Sequence, residues 1–327
     1  MNAKSARRPP AAGDRRPERS EGGFTMIETL MALLVMLIIM AGVMESLLQL
    51  SRTQTTVWNR ANMHGAVRSA TELLQQEVGQ AGRVSLPATV TASSAVAQGS
   101  QTVTVSSSTG MFVGEQLVID AGQNEETVTV TNVNSATSFT AVFALAHAAS
   151  VPIAVLGGFA TGVVPCASQA LCPGSTVTTA LTNGSTGAVL KLYGDVNGDG
   201  SMVYVEYVCD TTNGFLYRNM MPFTSATKPG VSPGQVLLSN IQPNPSGTPC
   251  FTYDEKTVNG TAYVVNVAIS LTTQTQMKDP TTRQFQTETK ALLNVAPRNV
   301  FDAWQLASIG VTDRIQPMPP TVMNLLH

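Results

Sequence analysis

Four groups of residues in this chain have types and spacings that could do chemistry. Glu28 stands inside an otherwise apolar run, four residues after Phe24 and just past the pair Gly22-Gly23. A carboxylate in hydrocarbon is expensive unless it meets a partner, so Glu28 is a functional candidate by default. Further on, Asp195, Asn197, Asp199, Gly200 and Glu206 fit the calcium-loop pattern D-x-[DN]-x-[DN]-G-x5-E in full. The strand pattern SMVYVEYV follows Gly200, and an extended chain at about 3.3 Å per residue would carry Glu206 roughly 20 Å from the loop. The expected calcium site therefore reduces to Asp195, Asn197 and Asp199, with the Ser201 carbonyl and a carboxylate such as Asp210. The alternative is a polar hairpin turn whose Asn-Gly and Asp-Gly steps need positive φ.

The remaining two groups are the cysteines and histidines. Cys166, Cys172, Cys209 and Cys250 all lie in the second half, and an even count beyond an apolar segment suggests disulfides, with three possible pairings. Cys166 with Cys172 and Cys209 with Cys250 is the favoured arrangement. The first pair closes a short loop and the second flanks expected sheet strands. Zinc is the weaker alternative, because there is no Cys-x-x-Cys and His64, His147 and His327 are scattered. No nucleophile elbow, Walker loop, dinucleotide fingerprint or His-Glu-x-x-His motif occurs, so the expectation is a chain that is not an enzyme.

The element that must position Glu28 is the run FTMIETLMALLVMLIIMAGVMESLLQL, about 25 mostly apolar residues and long enough to cross a core of about 30 Å as a helix. Lys4, Arg7, Arg8, Arg15, Arg16 and Arg19 precede it, and the positive-inside rule keeps that leader in the cytoplasm. An ordinary signal peptide is cut after its apolar run, whereas the sharpest small-residue pair here, Gly22-Gly23, comes before it. A cut after Gly23 would leave a charged α-amino group on Phe24, with Glu28 one helical turn further along the same face. That amine, from the same chain or from a neighbour shifted along the axis, would neutralise Glu28 and make it a register device for assembly. The alternative is a simple anchor with an incidental glutamate.

The residues GGFTMIETLMALLVMLIIMAGV closely resemble the N-terminal motif of type IV prepilins and pseudopilins. The resemblance implies that a prepilin peptidase cuts after Gly23 and methylates Phe24, and that Glu28 pairs with an amine during filament assembly. Glu21-Gly22 departs from the family pattern in lacking the basic residue often found close to the cut.

Past the membrane, Leu47, Leu50, Val57, Trp58, Ala61, Val67, Ala70, Leu73, Leu74, Val78 and Ala81 recur mostly at spacings of three and four, an amphipathic helix. From Phe24 to about Ala81 a single helix would span roughly 85 to 90 Å. Gly42, Gly65, Gly79 and Gly82 are its weak points; Gly42 is read either as a bending point or as a small residue for close packing. Alternation in TVTVS, EQLVID and ETVTVTNV marks a small all-β unit similar to modules of secreted proteins, read as display, subunit contact or spacer. From about 185 onward five to seven antiparallel strands are expected, with hairpin turns at 212–214 and 258–260 and a strand stop at Asp279-Pro280. VYVEYV with GFLYRN is similar to strands of larger minor pilins and of J-type pseudopilins of type II secretion.

The expected fold is α+β: a leader 1–23, a helix 24–84 that is transmembrane over about 24–48, an inserted all-β module 85–160, an antiparallel pilin-type head 161–296 carrying the helix, and an extended strap 297–327 anchored by Trp304. Without residues 1–23 the charge is about −5, which leaves no electrostatic footprint for nucleic acid. The expected role is a structural subunit of a type IV pilus, specifically a minor pilin; the alternatives are a type II secretion pseudopilin and a surface adhesin on a pilin anchor. Its expected partners are prepilin peptidase, other pilins or pseudopilins in a mixed filament, and the bacterial inner membrane before it reaches a periplasmic or cell-surface filament. No cofactor is expected apart from the calcium ion considered above.

Overall fold

A computed structural model describes residues 22–327, so the leader basic residues Lys4 through Arg19 lie outside the described residues. The chain separates into two units, Met1–Gln54 and Thr55–His327. Helix α1 (Met26–Gln80) is continuous through Gly42, Gly65 and Gly79. In its first part, residues 26–54, every side chain is exposed. Later, Asn59, Met63, Val67, Ala70, Thr71, Leu74, Glu77 and Val78 form a buried stripe at helical spacing. The helix stops at Gly82, which takes φ +81° and donates its N–H to the Tyr193 carbonyl at 2.9 Å. A Cβ at that position would lie 2.9 Å from Val300 Cγ2.

Strands β1 (Val90–Thr91), β2 (Gly99–Thr104), β3 (Gln116–Ile119), β4 (Glu126–Ser135), β5 (Ser138–Phe143) and β6 (Pro152–Val155) form a six-stranded sheet in the order β1-β6-β3-β4-β5-β2. Its two edges meet: Ser93 N–H donates to the Thr104 carbonyl at 2.8 Å, Ser106 N–H donates to Thr91 at 3.1 Å, and Ala92 bridges Val105. The sheet therefore closes into a small barrel. Alternate residues such as Val103, Leu117, Ile119, Val128, Val130, Phe139 and Ile153 point inward and form a core of their own. His147 is buried at the rim, with Nε2 2.6 Å from Glu126 Oε1 and Nδ1 3.3 Å from Asp120 Oδ2.

After the short β7 (Gly158–Phe159), strands β8 (Val189–Gly194), β9 (Val203–Asp210), β10 (Phe215–Pro222) and β11 (Val236–Ser239) form one antiparallel sheet in the order β11-β10-β9-β8. A second sheet holds β12 (Ile241–Gln242), β13 (Phe251–Val258), β14 (Thr261–Gln274) and β15 (Thr287–Val295), with β13 and β12 along one side of β14 and β15 on the other. Eight strands thus occupy the region where five to seven were expected, because the two-residue β12 is too short to show an alternation. The turns at 212–214 and 258–260 join β9 to β10 and β13 to β14, with Gly214 and Gly260 at positive φ. Strand β14 ends at Gln274, ahead of Asp279-Pro280. One hydrophobic cluster contains Met63, Val67, Ala70, Leu74, Val78 and Ala81 together with residues of both sheets, among them Val205, Tyr207, Leu216, Tyr253, Val267 and Ile269.

The C-terminal region corrects the expected extended strap. Helix α2 (Arg298–Ser308), strand β16 (Ile315–Gln316) and helix α3 (Pro320–Leu325) occupy it. Val300, Ala303 and Ala307 recur at helical spacing and are buried, while Pro297 and Pro319 sit at the two N-caps and Pro320 in the first turn of α3, positions that need no amide donor. Trp304 is half-buried on α2 and tilts against Phe301 at 5.4 Å. β16 runs parallel to β7, and Gln316 exchanges hydrogen bonds with the Gln116 backbone, both 2.8 Å.

Glu115 is fully buried beside β3; its Oε2 accepts the Phe112 N–H at 3.2 Å and its Oε1 has no partner. Burial pushes its carboxyl from the ordinary 4.5 up to about 8, against the opposing pull of the Phe112 amide. The folded chain then keeps a proton that the unfolded chain has released, so this contribution to stability is full below the unfolded value and is lost as pH rises towards 8. Thermal melting of wild type should therefore weaken between about pH 5 and about pH 8.5 by an increment that Glu115→Gln lacks. Parallel pH profiles for the two proteins would contradict this.

Candidate functional site

Residues 22–25 are an exposed, non-helical segment directly ahead of α1, and Phe24 is 80% exposed. Thr25 caps the helix: the Glu28 N–H donates to the Thr25 carbonyl at 3.0 Å and to its Oγ1 at 3.3 Å. Glu28 therefore lies in the first turn, where the helix dipole favours a negative charge. Thr25-x-x-Glu28 has the spacing of a capping box, a local role for Glu28 that coexists with any role towards a neighbour. Gly23 and Phe24 lie on the accessible backbone just outside this cap.

From Met26 the helix exposes apolar side chains on every side, including Leu30, Leu34, Leu37, Ile38 and Ile39, and it is long and apolar enough to cross a membrane. Its few hydroxyls are satisfied within the helix: Thr29 donates to the Met26 carbonyl and Ser46 to the Gly42 carbonyl, both 2.9 Å. Glu45, which pattern reading passed over, marks the far limit of the uncharged stretch. Residues 29–44 between the two carboxylates cover about 24 Å at 1.5 Å per residue, less than a hydrocarbon core of about 30 Å. If the run spans a membrane with Glu45 at one interface, Glu28 falls inside the apolar layer, where an ionised carboxylate requires a counter-charge.

Within the unit Thr55–His327, Glu77 is the residue that sequence reasoning missed. It is 1% exposed on the apolar stripe of α1. Its carboxylate takes Arg218 Nε at 3.0 Å and Arg218 Nη2 on Oε1, and the Tyr207 hydroxyl on Oε2. Desolvation works against the Arg218 charge, but the adjoining carboxylate outweighs it and holds the guanidinium above its ordinary value. Burial and the Glu77 charge both push the Tyr207 phenol up. A glutamate between Leu74 and Val78 on an otherwise apolar face was the available signal. The same helix meets β15 through His64 and Glu288, and Thr56 donates to Asp279 at 2.8 Å.

The residues of the expected calcium turn do not converge on an ion. Asp195 is fully buried; its oxygens accept the Asp199 N–H at 3.0 Å and the Gly200 N–H at 3.2 Å, and Arg83 Nε lies 3.5 Å away. Asp199 accepts the Ser201 N–H at 2.8 Å, and Asn197 is exposed beside the Met220 sulfur. Gly198 and Gly200 both take positive φ, as the polar-turn alternative requires. Asp210 is at the opposite end of β9, bound to Thr212 and Asn213, and Glu206 faces Lys228 at 3.0 Å and the Tyr204 hydroxyl at 2.8 Å. Among the described residues no three of His, Cys, Asp and Glu gather as a metal would require. The cysteines are joined as Cys166–Cys172, closing a short loop, and Cys209–Cys250, linking β9 to the residue ahead of β13.

Removing one partner of the Glu77–Arg218 pair leaves a buried charge without its counter-ion. Glu77→Ala or Arg218→Ala should each lose about 3–5 kcal/mol of stability in denaturant titrations, and Glu77→Leu with Arg218→Met should lose much less. Equal losses in the single and double variants would refute the pairing. No protein-family model, curated protein or solved structure matches the chain.

Proposed function

We propose that this chain is a structural subunit of a type IV pilus or related filament, cut after Gly23 by a prepilin peptidase and assembled through its N-terminal helix. The observation that carries the reading is the sequence of features at the N-terminus. An exposed non-helical segment with Gly23 and Phe24 precedes the Thr25 cap, Glu28 follows in the first turn, and an apolar run exposed among the described residues comes next. A carboxylate inside that run needs a cation, and the new Phe24 amine of a neighbouring subunit is a cation at the right depth. On this reading the two four-stranded sheets and the end of α1 make the pilin-type head, the six-stranded barrel is the module inserted on it, and the size of the whole suits a minor pilin that primes assembly or modifies a filament tip. The chain sits in the bacterial inner membrane first and in a filament afterwards. Its task is assembly, not catalysis, and neither a cofactor nor nucleic acid enters it.

The deciding measurement is the mass of the N-terminal peptide from cells with and without prepilin peptidase. The expected species begins at N-methylated Phe24 only when the peptidase is present; a chain starting at Met1 or beyond residue 40 in both strains would refute the reading. Glu28→Ala should leave that peptide unchanged yet lower incorporation into filaments by about tenfold or more, as loss of one partner of a buried charge pair predicts. Normal incorporation of the variant would remove charge pairing from the mechanism.

A further inference from the structure

A cleft of about 570 Å³ opens between the β13–β14 hairpin, the loop residues 160–181 and the C-terminal segment. Its wall is mainly apolar, with Leu181, Val258, Ile315, Met318 and Met323 prominent, and no charged side chain lines it among the described residues. Size and character are those of small-molecule sites, which hold an apolar body and fix its orientation with a few polar groups. Some polar groups at this wall are already engaged. Gln316 is bonded on both its oxygen and its nitrogen, and the Thr161 hydroxyl is 2.6 Å from the Tyr193 hydroxyl. Tyr263 is the aromatic donor at this wall. It lines the cleft, is 3% exposed, and its hydroxyl has no hydrogen-bond partner among the described residues. Burial pushes its phenol up, so it keeps its proton and remains a donor.

We infer that this cleft binds an uncharged, predominantly apolar small molecule that offers a hydrogen-bond acceptor, such as a carbonyl oxygen, to the Tyr263 hydroxyl. An anion or cation placed there would lose its hydration and find no counter-charge, so the site discriminates against charged ligands of the same shape. An apolar ligand without an acceptor would cover the Tyr263 hydroxyl, shut it off from water and leave it unpaired. This site lies apart from the N-terminal features and does not depend on the filament reading.

Benzophenone supplies a test, because it is neutral and apolar, carries one ketone oxygen, and inserts on irradiation into nearby side chains, methionine especially. Full-length protein in lipid nanodiscs would be irradiated with it and the labelled peptides mapped by mass spectrometry. Met318 and Met323 report the cleft, and Met277, 55% exposed elsewhere on the same unit, reports chance encounter. Saturable labelling of Met318 or Met323 above that of Met277 is expected, suppressed by excess acetophenone and lowered about fivefold in affinity by Tyr263→Phe. The exposed rim variant Thr179→Trp should block entry without touching the core. Cleft labelling no higher than that of Met277 would overturn the site, unchanged affinity in Tyr263→Phe would overturn the donor role, and equal labelling by anionic 4-benzoylbenzoate would overturn the preference for uncharged ligands. A circular dichroism spectrum matching wild type shows that each variant is folded.

Discussion

Apolar surface must be covered by something, and residues 26–50 show it on every side of one helix. Within residues 22–54, the described part of the first unit, nothing covers it, and lipid or other protein would serve as cover. The polar groups in that stretch fit such surroundings. Thr29 and Ser46 hydroxyls fold back on the helix backbone, and the carboxylates Glu28 and Glu45 bracket the uncharged interval. Beyond residue 55 the same helix obeys a different rule, with an apolar stripe on one side and polar residues on the rest. One buried carboxylate in that stripe, Glu77, is held by a guanidinium and a phenol.

How much of this could be read beforehand depends on the range of the interaction. The apolar run and the alternating strands of the barrel are local patterns that appear where their periods place them, whereas the expected amphipathic stripe is buried only from Val67 to Ala81, with Leu47, Leu50, Val57, Trp58 and Ala61 exposed and Asn59 and Met63 buried instead. Asn213-Gly214 and Asn259-Gly260 marked their hairpins because glycine at positive φ is a local requirement. The pairing of Glu77 with Arg218, on elements far apart in the chain, leaves no local trace beyond one charge on an apolar face. Short elements were lost for another reason: β12 is too brief for a period to register, and four prolines among residues 297–320 suggested extension when three of them instead start helices.

The calcium pattern shows how a motif misleads when its framework is missing. The spacing from Asp195 to Glu206 has chemical meaning only if the chain after the loop turns back as a helix. Here β9 carries Glu206 away to Lys228, and Asp195 turns inward to hold the backbone of its own turn. Gly23 and Phe24 lie on an exposed non-helical segment and Glu28 in the first turn of α1, an arrangement set by local sequence alone.

The closure of the barrel has a consequence for crowding. If the chain assembles as proposed, copies tethered side by side would face one another at local concentrations in the millimolar range. At such density any strand with unsatisfied edge amides invites pairing with its twin, the route to domain exchange and fibrous aggregates. The six strands between residues 90 and 155 leave no such edge, since β1 and β2 bond to each other across Ala92 and Val105. On the second sheet, β15 instead carries Glu288 and Lys290 along its length, charges that keep identical neighbours from zipping together. Among the described β-elements, the barrel edges are thus joined to each other and the β15 edge is charged.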